Sequence, residues 1–345
     1  MVLGGAVSTS ERDQPPRPGG RQGNAELVIG VAAPCSAVPM VELEAGVGRL
    51  RAEGFQVHVH GQCARQHFTY AGTDEERLGA LVEYAYSTDV DVVWCARGGY
   101  GATRLLPMLD AVTRERGRPP RKLLVGYSDV TVLHEYVRTR WGWGTLHAAM
   151  PASVSFGSFD PEHWRATIQL ARGEMVERPW RGAMEAVGLP VSETIEAELV
   201  GGTLTLWACL MGTPYAPDPR GKILFFEDVG EAWYRVDRMV TQLVQAGAFA
   251  EVRAVVLGDF KDCKDEAHMV RREAGSEQKA PLRRVYEHRE AVDEIFGGLS
   301  RDLKVPILQG LPVGHGPNFA PLALGGHYRL GTNGVLTMVG WDWLA

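Results

Sequence analysis

From Leu27 onward the chain alternates short apolar runs with stretches of helical length, and this alternation is the strongest constraint on its fold. Leu27 to Ala33 reads as a strand, Pro39 to Glu53 as a helix and Phe55 to His60 as the next strand. Thr73-Asp74-Glu75-Glu76 has the form of a capping box, which predicts a helix to about Tyr86, and Val90 to Ala96 reads as a buried strand. The turn Arg97-Gly98-Gly99-Tyr100-Gly101 follows, then a strand from Lys122 to Tyr127, a helix through Arg138 and a short strand from Thr145 to Met150. This is the rhythm of βαβ units, which place strands in parallel. In an open parallel sheet the strand-to-helix turns line up at the carboxyl edge, so the two glycine-bearing turns should face one cleft.

Beyond a helix from Pro161 to Arg172 the texture becomes Pro- and Gly-punctuated. The expected organisation is an α/β domain over 26–174, a linker over 175–196 and a second domain over 197–345. The second part should hold a small-residue helix (Gly202 to Met211), a strand (Ile223 to Phe226), a helix (Arg235 to Gln245) and a strand (Ala254 to Gly258). Residues 261–287 are strongly charged and read as a solvated loop with helical segments, and Val305 to Val339 as short strands with glycine turns. Length suits two cores, for 345 residues exceed what one core usually serves.

Charge and cysteine content narrow the partners. The net charge of −6 is mild, and basic residues are dispersed apart from Arg271-Arg272 and Arg283-Arg284, so no nucleic-acid stripe is present and a small or peptidic ligand is expected. No apolar run approaches the roughly 20 residues of a membrane span, which predicts a soluble protein without a membrane partner. Residues 1–25 are rich in Gly, Pro, Arg and Gln, lack a secretory apolar core and read as a disordered tail. Five widely spaced cysteines without Cys-x-x-Cys or zinc-like His spacing read as reduced thiols of a cytoplasmic protein with no metal.

Chemistry is suggested where the strand Leu123 to Val125 runs into Gly126-Tyr127-Ser128-Asp129. A serine at a strand end that opens a helix lifts its hydroxyl out of the sheet, and the next N–H points at a developing oxyanion. Gly126 matches the hydrolase elbow but Val130 replaces its second glycine, and an ordinary N-cap is the alternative. A serine nucleophile needs a base, and the base an acceptor. Of ten histidines, His315 stands out between Gly314 and Gly316, with His147 at a strand end as its rival. Glu227 ends the apolar run Ile223 to Phe226 and is the candidate orienting acid, whereas Asp228 and Glu231 read as complements to the dipole of the helix near Arg235.

These segments resemble the LD-carboxypeptidases. Ala71-Gly72-Thr73-Asp74-Glu75-Glu76-Arg77, Arg97-Gly98-Gly99-Tyr100-Gly101, Gly126-Tyr127-Ser128-Asp129, Gly201-Gly202-Thr203-Leu204, Phe226-Glu227-Asp228 and Gly314-His315-Gly316 occur in that family's order, over Leu27 to the C-terminus. The resemblance implies a flavodoxin-like parallel-sheet N-terminal domain with the serine, and a smaller, β-rich C-terminal domain with the Glu and His. It implies a Ser128, Glu227, His315 triad, a metal-free and cofactor-free mechanism and a homodimer. The oxyanion hole then comprises the N–H of Asp129 and one from the glycine turn, placed at Gly99 with Gly98 as the fallback.

The family includes murein tetrapeptide carboxypeptidases, which release terminal D-Ala in peptidoglycan recycling, and microcin C immunity peptidases, which cut processed peptidyl nucleotides. The short interval between serine and glutamate and the stretch Gly201 to Tyr215 resemble the murein type. Three departures stand out: Thr203 where the family often has Asn, His147-Ala148-Ala149 in place of His-Gly-Pro, and a long Glu227–His315 interval. Arg97, Gly98 and Tyr100 are candidate substrate contacts; the Arg97 guanidinium suits a terminal carboxylate, with a loop brace as the alternative. A flavin- or nucleotide-binding module is disfavoured by Ala32-Ala33-Pro34-Cys35, which stands where a dinucleotide fingerprint would be, while a non-catalytic muropeptide-binding protein remains the other rival.

Overall fold

The computed structural model describes residues 27–153, 156–157, 160–265, 287–317 and 319–344. The expected tail at 1–25 and most of the charged segment at 261–287 lie outside these residues. The first half alternates as anticipated: β1 (Val28–Ala32), α1 (Met40–Ala52), β2 (Gln56–Val59), α2 (Asp74–Tyr86), β3 (Val92–Cys95), α3 (Leu106–Arg116), β4 (Leu123–Gly126), α4 (Thr131–Tyr136) and β5 (Gly144–His147). There follow α5 (Pro161–Ala171), β6 (Glu185–Ala186), β7 (Ile195–Thr203), α6 (Leu204–Leu210), β8 (Ile223–Val229), α7 (Trp233–Gln245) and β9 (Ala254–Lys261). The last elements are α8 (His288–Val292), α9 (Gly298–Leu303), β10 (Ile307–Gln309), β11 (Leu322–Leu324), β12 (His327–Leu330) and β13 (Leu336–Gly340).

The first sheet has the order β11-β5-β4-β3-β1-β2, with β1 to β5 parallel. Its five parallel strands follow the flavodoxin-like order 2-1-3-4-5, which reverses direction between β1 and β3. Helices cover both faces, so β1, β3 and β4 are buried throughout, which is why their sequences are apolar without alternation. The Thr73 capping box forms as read: Glu76 N–H donates to Thr73 Oγ1 at 3.3 Å and Thr73 N–H to Glu76 Oε2 at 2.9 Å. At the far edge β11 pairs antiparallel with β5, so the chain returns to the first sheet before β12 and β13 complete the second.

The second sheet has the order β13-β12-β7-β8-β9-β10-β6, with a parallel centre from β7 to β10 and antiparallel flanks. Strand β7 was not read from the sequence, where its start fell in the expected linker: Ile195, Ala197 and Leu199 point inward while Glu196 and Glu198 alternate outward. Strand β8 runs three residues past Phe226, so Glu227 and Asp228 lie within it rather than after it. Asp228 does not serve α7, which begins at Trp233. Its carboxylate accepts from Thr205 N–H at 2.9 Å and Thr205 Oγ1 at 2.8 Å, thereby capping the start of α6. No helix among the described residues is long and apolar enough to cross a membrane.

One buried cation pins the carboxyl edge of the first sheet. Arg77 of α2 is fully buried and donates to the Pro34 carbonyl after β1, to the Gly101 carbonyl at 2.9 Å and to Asp74, which also binds Arg104. Arg77→Met strands two buried carbonyls, while Asp74 keeps Arg104; it is expected to cost about 2 kcal/mol of unfolding free energy, measured by urea denaturation.

Candidate active site

Tyr127 leaves β4 extended, and Ser128 then adopts the left-handed conformation at φ 63°. For a non-glycine residue this costs on the order of 1 kcal/mol. Ser128 opens a single 3₁₀ turn that continues into α4, and its side chain caps neither element. The N-cap alternative is therefore not realised, and the half-buried hydroxyl is left for other use.

The glycine turn after β3 lies directly against this serine. A Cβ on Gly98 would approach Ser128 Cβ to 3.1 Å, so only glycine lets the two loops meet this closely. Gly99 has φ 105°, and its N–H is taken by no group among the described residues. Two braces set this turn, neither legible in the sequence. Ser36, after β1, accepts from Tyr100 N–H through Oγ at 3.0 Å, and its own N–H donates to the Gly98 carbonyl at 3.2 Å. Asp129 accepts from Ala102 N–H at 2.9 Å; burial raises its carboxyl above the ordinary range, with that hydrogen bond, Cys35 and Arg77 pulling the other way.

From the second sheet come the acid and the imidazole. Glu227 is completely buried on β8, and its Oε2 lies 2.7 Å from His315 Nδ1. Its Oε1 accepts from Thr203 Oγ1 at 2.5 Å. Thr203 N–H in turn donates to Thr131 Oγ1 of α4 at 3.2 Å, which links the acid to the helix of the serine. A Cβ on Gly314, at φ 134°, would lie 2.9 Å from Glu227 Oε2, so a glycine is needed for the 310–317 loop to reach the acid. Burial depresses the His315 pKa, but the charge and hydrogen bond of Glu227, with Asp228 adding, outweigh it and hold the pKa above the ordinary value. With Nδ1 committed to Glu227, Nε2 is the nitrogen left for proton transfer.

Tyr127 bridges the two halves: its ring centroid lies 4.9 Å from that of His315 and 4.7 Å from that of Phe319. The residue before Ser128 thus packs on His315, while among the described residues Ser128 and His315 are not hydrogen-bonded to each other. The rival His147 is enclosed by Tyr127, Phe225 and Phe319, and neither ring nitrogen has a hydrogen-bond partner among the described residues. Burial first, then the charges of His134 and His315, keeps His147 neutral and well below its ordinary pKa. Arg97 is exposed and donates from Nη1 to the Ala37 carbonyl at 2.8 Å, so one of its nitrogens acts as the loop brace. Tyr100 is also exposed, its ring 5.9 Å from that of Tyr70.

Fold and relatives together define a serine-type carboxypeptidase, a hydrolase of peptide bonds. The chain belongs to the LD-carboxypeptidase family, whose N-terminal domain matches residues 29–148 and whose C-terminal domain matches residues 196–330. It is 31% identical over 297 residues to the murein tetrapeptide carboxypeptidase of Pseudomonas aeruginosa, covering 84% of this chain and 88% of that one. It is similar to the crystal structure of muramoyltetrapeptide carboxypeptidase from Oxalobacter formigenes, with a TM-score of 0.69, 30% identity and coverage of 90% and 97% of the two chains. The microcin C7 self immunity protein MccF shares the fold at a TM-score of 0.71 and 21% identity, over 93% of this chain and 98% of that one.

The Glu227 contact makes a measurable claim. His315 ring resonances should titrate with a midpoint above 6.5, the ordinary histidine value. Removing the carboxylate charge with Glu227→Gln should bring the midpoint down, because burial is then less opposed; NMR titration of both proteins decides it.

Proposed function

We propose that Ser128, Glu227 and His315 form the catalytic triad of this carboxypeptidase, and that it releases terminal D-Ala from murein tetrapeptide in the course of peptidoglycan recycling. The observation that carries the reading is the 2.7 Å contact between a wholly buried Glu227 and His315, set beside the left-handed turn of Ser128. The substrate assignment draws on the two relatives at 30% and 31% identity, both named for the tetrapeptide. As in the family, the enzyme is taken to work in the cytoplasm as a homodimer.

Ser128 Oγ attacks the carbonyl carbon of the L-configured residue while its proton passes to His315 Nε2. Glu227 holds the imidazole by Nδ1–H and stabilises the imidazolium. The N–H groups of Asp129 and Gly99 receive the oxyanion, a stabilisation worth about 3 kcal/mol per donor in comparable sites. His315 then gives its proton to the nitrogen of D-Ala as the C–N bond breaks. Water, deprotonated by His315, attacks the Ser128 ester and regenerates the enzyme. Because His315 must be neutral to accept the first proton, kcat/KM should rise with pH through a value above 6.5, in line with its raised pKa.

The test is D-Ala release from L-Ala-γ-D-Glu-meso-diaminopimelate-D-Ala. Wild type should cleave it with EDTA present, and Ser128→Ala should lose about 10⁴-fold or more in kcat. Absence of release by the folded wild type defeats the tetrapeptide assignment, and retention of activity in Ser128→Ala defeats the triad. Arg97→Lys should raise KM selectively for substrates with a free terminal carboxylate, since a planar guanidinium binds that group through two parallel hydrogen bonds and an ammonium does not. Unchanged selectivity would leave Arg97 only its brace to Ala37.

A further inference from the structure

Strand β9 is irregular opposite Glu227. Phe226 of β8 pairs with Leu257 and Asp228 with Phe260, so Gly258 and Asp259 together stand against the single residue Glu227. Two residues against one make a β-bulge, uncommon between parallel strands, which bends its strand and re-aims a side chain beside functional sites. The bulge meets the loop that carries His315. Asp259 N–H donates to the Val313 carbonyl at 2.9 Å, and the half-buried Asp259 carboxylate takes the Gly316 N–H. The fit leaves no space for side chains: a Cβ on Gly316 would collide with the Asp259 carboxylate, one on Gly258 with the Val313 carbonyl, and one on Gly314 would lie 3.2 Å from Asp259 Cβ. Both chain neighbours of His315 therefore lie against Asp259, while Glu227 holds the ring at Nδ1.

A histidine between two glycines has little backbone restraint of its own, because glycine populates positive and negative φ alike. One hydrogen bond at Nδ1 lets the ring pivot about that contact unless the backbone is held as well. Resting on the reading of His315 as the base, we propose that Asp259 is a positioning residue for the reaction: from its bulge it anchors the backbone after His315 through Gly316, so that the imidazole is fixed at two points, and it sets a further negative charge beside the imidazolium. Asp259 acts through His315 and not on the substrate. The charged and titratable groups around His315 are Glu227 and Asp228 of β8, Asp259 and Lys261 of β9, and Tyr127 and His147 of the first sheet's side. Glu227 and Asp228 favour the imidazolium, Lys261 opposes it, and burial holds Tyr127 and His147 in their neutral forms. Burial also lifts the Asp259 carboxyl above the ordinary range, and the Gly316 N–H and the charge of His315 draw it back.

The test compares wild type, Asp259→Ala, Asp259→Asn and His315→Ala by D-Ala release from the tetrapeptide, hydrogen exchange of the Gly316 amide and NMR titration of His315. Asp259→Ala should lose about 10²-fold in kcat with KM little changed, the cost of misplacing a reacting group by about 1 Å, and should speed exchange of the Gly316 amide. Asp259→Asn keeps an acceptor oxygen for that amide. It should return most of the lost kcat and leave the exchange slow, while the His315 midpoint and the acid limb of kcat/KM move to lower pH because a negative charge is gone. A merely structural role would lower the melting temperature and move neither the midpoint nor the split between kcat and KM. Wild-type kcat in folded Asp259→Ala, or equal losses in the two Asp259 variants, overturns the proposal and leaves the triad standing. Should Asp259→Ala not fold, an unchanged His315 midpoint in Asp259→Asn overturns it. Cleavage by His315→Ala overturns the triad reading and this role with it. No cleavage by folded wild type defeats the tetrapeptide assignment instead, and the Gly316 exchange and His315 midpoint, if unchanged in both Asp259 variants, still overturn the positioning role.

Discussion

A carboxylate with no exposure to water is costly unless every oxygen finds a partner, and Glu227 meets that condition through two different kinds of residue. His315 Nδ1 occupies one oxygen at 2.7 Å and Thr203 Oγ1 the other at 2.5 Å. Thr203 is joined to Thr131 on the helix that follows Ser128, so the demand of one buried charge sets the imidazole, the centre of the second sheet and that helix relative to one another. Removing any member leaves another polar group enclosed without a partner, a penalty of about 1–3 kcal/mol for a neutral donor and more for a charge.

That arrangement is useful only if the two sheets stay in register. Strand β11 pairs with β5 at the far edge of the first sheet, and Thr145 Oγ1 donates to the Leu324 carbonyl at 2.9 Å. The indoles of Trp341 and Trp343 both donate to the Leu170 carbonyl, and Trp343 is buried against Gly144 of β5. The chain's last segments therefore clamp the first sheet. At the opposite side of the site Ser36, Arg77 and Asp129 tie the loops after β1, β3 and β4 together, which fixes the conformation of the glycine turn.

Much of this was legible because its causes are local. The βαβ rhythm, the Thr73 capping box and the glycine turns at 98–99 and 314–316 each state a backbone requirement in a few adjacent residues, and all appear where the sequence put them. Strand β7 escaped because its start fell in the expected linker, and its inward face is defined only once a partner strand covers it. Asp228 was assigned to the helix that follows it, whereas its partner is Thr205, a residue 23 positions earlier brought close by the pairing of β7 with β8. Thr203 was noticed as a departure from the family pattern, but its hydrogen bond to Glu227 belongs to the same pairing and could not be read from spacing.

The sequence by itself determined the order of elements, the parallel character of the first sheet and the short set of residues able to carry acyl-transfer chemistry, because hydrophobic period, capping and glycine placement act between neighbours in the chain. Only the tertiary structure gave His315 and His147 their different surroundings. Both are histidines at strand or loop ends, yet one is held at the cleft by a buried carboxylate that favours its charged form, and the other is walled in by Tyr127, Phe225 and Phe319 where no charge is tolerated. That distinction rests on burial and on the electrostatics of residues 88 positions apart in the chain, which no local pattern encodes.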